Sequence, residues 1–116
     1  MIQVSDEVFD ELVADALDAV PEGLMDLVDN VVVLVEDEPP RGDPELLGVY
    51  IGVPLTERDS RYSGVLPDRI MLYRGPLQRM CRSTDELVEE VTVTVVHEIA
   101  HHFGIDEERL HALGWG

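Results

Sequence analysis

Two histidines four residues apart, His97 and His101, followed by Gly104, constrain this chain more than any other feature in it. On a helix of 3.6 residues per turn, positions i and i+4 share a face, so both imidazoles can be offered to one point in space. A start signal for that helix lies upstream: Ser83-Thr84-Asp85-Glu86 places serine at an N-cap with glutamate three residues on, a capping-box pattern. Between the two, Val91-Thr92-Val93-Thr94-Val95-Val96 alternates at period two and by propensity reads as a strand. The helix is the better reading, because the cap is specific, the histidine spacing requires it, and tertiary packing commonly overrides propensity. The expectation is a helix over residues 85–103. Gly104 ends it by adopting a left-handed φ that turns the chain back, and a final short helix follows over 106–113.

The rest of the chain reads as α+β. Ser5 suits an N-cap, Asp6 and Glu7 suit the positive end of a helix, and Val8, Phe9, Leu12, Val13, Ala16, Leu17 and Val20 recur at helical spacing up to Pro21. A short helical turn is expected over 24–28 and a β-branched strand over 31–35. Residues 38–44 contain Pro39, Pro40 and Pro44 and read as a loop. A second strand over 46–55 is interrupted by Gly48, Gly52 and Pro54, which points to an edge position or bulges. Residues 56–68 read as a loop, 69–74 as a third strand and 75–81 as a short helix. With 116 residues, no internal repeat and no linker, one domain over 1–116 is expected, and any active site must be a groove or shallow pocket.

Charge removes several function classes. Lys+Arg number 8 against 25 Asp+Glu, a formal net charge of −17 that repels phosphate backbones and anionic lipid surfaces, so no nucleic acid and no membrane partner is expected. Such acidity also serves plain solubility. The lone Cys81 has no internal disulfide partner and reads as a small buried apolar residue rather than a nucleophile. The N-terminal stretch lacks a basic region followed by an apolar run, and no apolar run approaches the ~20 residues of a membrane-spanning helix; a cytoplasmic protein is expected.

The motif His97-Glu98-Ile99-Ala100-His101 is suited to zinc. Glu98 is turned roughly 100° from His97, which places its carboxylate beside a metal-activated water rather than on the metal. Metal-assisted hydrolysis is the expected chemistry: zinc acidifies a water, Glu98 takes its proton as general base and passes it to the leaving amine. A catalytic zinc needs a third protein ligand, and the residues leave it open among Glu107, Asp106, Glu108, His102 and His111. His102, next to His101, points away from the shared face and, like His111, reads as an outer or surface residue. An oxyanion donor is open among Tyr50, Tyr62, Tyr73 and His111. Phe103, Ile99 and Trp115 read as core or cover. The plainer alternative is a surface helix with solvated histidines, Gly104 as an ordinary C-cap, and Asp106, Glu107 and Glu108 as acids favoured at the start of the next helix.

The pattern His97-Glu98-x-x-His101-x-x-Gly104-x-x-Glu107 resembles that of the minimal zincin-like metallopeptidases. Residues 48–55 and 66–74 also look like that family's strand regions. No downstream methionine suits a Met-turn, which separates the chain from the metzincins. The resemblance implies a minimal zincin-like α+β fold: an N-terminal helix, a small twisted mixed sheet of about three to four strands, and an active-site helix followed by a glycine turn and short helix. It implies zinc held by His97, His101 and Glu107, with Asp106 as the alternative third ligand, Glu98 as base, and a peptide or protein substrate. Zincins commonly hold peptide as a strand added along a sheet edge, and 46–55 is the candidate edge. Two other functions stand beside the peptidase: a non-catalytic zinc-binding or protein-interaction domain that keeps the frame, and a zinc hydrolase acting on a non-peptide amide.

Overall fold

A computed structural model describes residues 1–28, 30–52 and 67–112. Among these the order is α1 (Asp6–Ala19), α2 (Glu22–Met25), β1 (Val31–Glu36), β2 (Gly48–Ile51), β3 (Asp68–Tyr73), α3 (Arg74–Met80), α4 (Thr84–His102) and α5 (Glu107–Ala112). The fold is α+β, with a three-stranded mixed sheet in the order β1-β3-β2. β3 runs parallel to β1 and antiparallel to β2, which leaves β2 at an edge, as its glycines suggested. β2 is shorter than the strand expected over 46–55: Leu46 and Leu47 precede it, and positions 53–55 lie outside the described residues. Residues 56–66 of the loop expected over 56–68, which include Tyr62, lie outside them, as do Leu113 and Trp115; Asp68, the last residue of that expected loop, begins β3 instead.

Caps act where the sequence places them. Ser5 Oγ accepts from Val8 N at 3.2 Å, and α1 turns Phe9, Val13 and Ala16 inward. Ser83 Oγ accepts from Glu86 N at 3.1 Å, starting α4. The Val-Thr run is helical because this helix is covered on more than one side. Val91, Val95 and Val96 are fully buried in the core, among contacts with α1 and the sheet. Helix-interior threonines place hydroxyls in apolar surroundings, and each finds a local acceptor: Thr92 donates to Val88 O at 2.8 Å, Thr94 to Glu90 O at 2.8 Å. Thr92 also reaches Ala16 O at 3.3 Å, tying α4 to α1. The sheet's inner face contributes Val31, Val33, Val35, Ile70 and Leu72 to the same core.

Alternation along the antiparallel pair decides what β2 presents. Leu47 O accepts from Tyr73 N, so Leu47, Val49 and Ile51 turn their backbone groups to β3, whereas Gly48 and Tyr50 turn theirs outward toward α4. Gly48 lets the two elements meet: a Cβ there would sit 2.9 Å from both Met71 O and Thr94 Cγ2.

Candidate active site

α4 buries Val95, Val96, Ile99 and Ala100 and exposes His97 and His101, so the apolar stripe itself turns the two histidines to solvent on a common face. His97 Nδ1 lies 2.9 Å from Val93 O, a contact that directs Nε2 outward. Glu98 is half-buried between α4 and β2, and its Oε1 accepts from Tyr50 N at 3.0 Å. The general-base candidate is therefore held by the backbone of the edge strand.

The glycine turn has the paired bonds of a Schellman motif. Ile105 N donates to Ala100 O at 2.8 Å and Gly104 N to His101 O at 3.3 Å, with Gly104 at φ +68° and Ile105 buried against the core. The chain thus folds back, and the two acids that follow diverge. Asp106 Oδ1 accepts from Arg109 N at 2.8 Å, making it the N-cap of α5. Glu107 Oε1 lies 3.6 Å from His97 Nε2. Glu108 and His111 are exposed on α5. His102 stacks on the Tyr50 ring with centroids 3.9 Å apart and meets Phe103 edge-on at 5.0 Å. Phe103, expected as core or cover, is 40% exposed, because it caps α4 where the chain leaves the core; Ile99 is fully buried.

Zinc can be tested against this arrangement. Two ligands each about 2.0–2.2 Å from one tetrahedral zinc stand about 3.4 Å apart. The 3.6 Å between His97 Nε2 and Glu107 Oε1 is close to that separation, and nitrogen plus carboxylate oxygen is a donor set zinc accepts. Among the described residues no three His, Cys, Asp or Glu side chains are yet gathered as a metal-holding group. His101 lies one turn along the same exposed face of α4.

Two tyrosines and the cysteine are otherwise engaged. Tyr50 donates its hydroxyl to Asp68 Oδ2 at 2.6 Å, and Tyr73 is buried beside Glu36, where burial first and the Glu36 charge second raise its pKa. Cys81 is fully buried; desolvation, then Glu86 and Glu90, push its thiol up to about 11, the opposite of an activated nucleophile. The contact that sequence reasoning missed is Tyr50 N with Glu98. Its signal was Gly48, since a glycine inside a strand marks close approach of another element as well as a bulge.

The family model described as zincin-like metallopeptidase matches residues 28–115, which takes in the sheet, α4 and the glycine turn. The chain belongs to the zincin-like metallopeptidase family. Among solved structures, this zincin-like chain is similar to a conserved hypothetical protein from Thermo thermophilus, at 29% identity and a TM-score of 0.58, covering 86% of this chain and 94% of that one. No curated protein matches it. Among the described residues no helix of this family member is long and apolar enough to cross a membrane.

Proposed function

We propose that the chain is a zinc-dependent peptidase, with His97, His101 and Glu107 as the residues that would hold the metal and Glu98 as the general base. The observation that carries this is the Tyr50–Glu98 hydrogen bond. A glutamate side chain has several rotamers available, and a hydrogen bond from a backbone amide to a carboxylate, worth about 1.5–3 kcal/mol, holds one of them. It holds Glu98 against the edge strand, in the same groove as His97, which supports a role for it in that groove.

Zinc, when bound, supplies Lewis acidity: it acidifies a water and polarises the substrate carbonyl. The chain's own residues do the rest. Glu98 Oε1 stays on the Tyr50 amide, which leaves Oε2 to take the proton from water and return it to the departing amine. Asp106, engaged as a helix cap, fixes the start of α5 and so aims the neighbouring Glu107 at His97.

A second reading is favoured by the His97–Glu107 contact itself, which closes the glycine turn as an ion pair when His97 is protonated and suits a non-catalytic frame. The two readings separate on Glu98→Gln. For a peptidase, that variant loses hydrolysis of a peptide library while its zinc stoichiometry, by elemental analysis, stays at the wild-type value. Equal turnover in wild type and variant rejects Glu98 as base and with it the proposal. Stoichiometric zinc surviving both His97→Ala and His101→Ala rejects the ligand assignment.

A further inference from the structure

An open groove of about 280 Å³ runs along α4 from the motif toward the helix's N-terminal half. His97 and Glu98 line one end, and Gly48 and Thr94, where β2 meets α4, line the stretch beside them. From there Leu46 and Leu47, on the approach to β2, form one wall, and Val93 lies on the α4 side. At the far end stand two carboxylates, Glu90 from α4 and Glu45 from the segment before β2. A channel with apolar walls and a negative end has the profile of a long amphipathic cation, aliphatic along its stem and charged at its tip.

We propose that this groove is a specificity subsite for a lysine or arginine side chain of the peptide, with Glu90 as its principal recognition residue. The inference rests on the peptidase reading of the neighbouring motif and adds the substrate class. Dimensions allow it. Glu90 and Glu98 are eight residues apart on one helix, about 12 Å at 1.5 Å per residue. Side chains of an extended peptide stand off the strand axis, so a lysine stem of about 6 Å that turns along the groove spans about half of this distance, and Glu90's own side chain reaches back over part of the rest.

The charges are unequal in their commitments. Glu90 is half-buried and has no cationic partner among the described residues. Glu45 is exposed and shares its field with Arg79, which is itself bound to Glu38 by two bonds of 3.0 Å. Glu90 therefore carries most of the attraction, and Glu45 adds a weaker share.

The test is a positional scan read by binding rather than turnover. Acetylated, amidated pentapeptides of alanine carry one lysine, or one norleucine of matched length, at each position in turn. Their affinities for full-length Glu98→Gln protein are measured by calorimetry. The expected result is a lysine advantage of about three- to fivefold at a single position, falling to about one in Glu90→Gln with norleucine affinity and melting temperature unchanged. Equal lysine and norleucine affinity overturns the subsite. So does an advantage spread over all five positions, which would report only the net charge of −17, or one that survives Glu90→Gln. Wild-type hydrolysis of the same peptides is read separately. Positional binding without turnover rejects the peptidase and keeps the groove, whereas turnover without positional preference rejects the groove alone.

Discussion

Gly48→Ala is the sharpest single probe of how the candidate base is held. The added methyl would lie 2.9 Å from Met71 O, 2.9 Å from Thr94 Cγ2 and 3.2 Å from Leu72 Cδ2. None of these yields easily. Met71 O belongs to the β3 backbone, in the centre of the sheet, and Thr94 is held by its own bond to Glu90 O at 2.8 Å. Relief requires β2 to shift against both β3 and α4 by several tenths of an ångström, and overpacking of this kind costs about 1–3 kcal/mol. At roughly 4 °C per kcal/mol for a domain of this size, the melting temperature should fall by about 4–12 °C. The same displacement lengthens Tyr50 N–Glu98 Oε1 beyond its 3.0 Å, so hydrolysis falls further than the folded fraction does. Thermal melts, with hydrolysis assayed well below the transition, separate the two effects. Thr94→Ser removes one of the two closest contacts, so Gly48→Ala/Thr94→Ser should recover part of the loss, a coupling of about 0.5 kcal/mol or more. A Gly48→Ala protein within about 0.5 kcal/mol of wild type and fully active would refute the packing argument, because that is the range of surface substitutions away from such contacts.

Three further outcomes are expected. Asp106→Ala should cost about 1 kcal/mol in urea denaturation and leave zinc stoichiometry intact; Glu107→Ala should cost little stability yet weaken zinc by more than the ~10–100-fold that outer contacts are worth, as measured by competition with a chelator. The reverse pattern would make Asp106 the ligand. Ser83→Ala should destabilise by about 1 kcal/mol through loss of the Glu86 N bond, and a change below about 0.3 kcal/mol would remove the cap from the account of α4. Cys81, its thiol raised to about 11 mainly by burial, should resist a thiol reagent at about pH 8 in the folded protein and react fully in urea. Because its folded pKa lies above its unfolded value, its share of stability is full below about pH 9 and is lost as pH rises toward 11, so Cys81→Ala should flatten the alkaline fall in melting temperature.

Much of the element pattern was legible because its signals are local. Ser5 and Ser83 reach backbone amides three residues away, and Gly104 acts through its own φ of +68°. The edge placement of β2 was legible in Gly48 and Gly52, and the burial of Cys81 in its being a lone cysteine, which behaves as a small apolar residue. Illegible at the same level were the extent of β2, read too long at 46–55, and the exposure of Phe103, which follows from where the chain leaves the core rather than from residue type.

The motif with which the sequence is read, His97 to Gly104, shows the division clearly. By itself the sequence determined that His97 and His101 share one helical face, that the chain turns at Gly104, and that an acid follows three residues later, since each depends on spacing along one helix or on one dihedral. The cap at Ser83 and the histidine spacing already made the Val-Thr run helix; only the tertiary structure supplied the reason it holds against its period-two pattern, burial against α1 and the sheet. Only it separated Asp106, spent on capping α5, from Glu107, aimed at His97. And only it joined Glu98 to Tyr50, 48 positions earlier, where a missing Cβ at Gly48 brings strand and helix into contact. Such contacts join segments distant in sequence, and their geometry is set by packing after the local elements have formed.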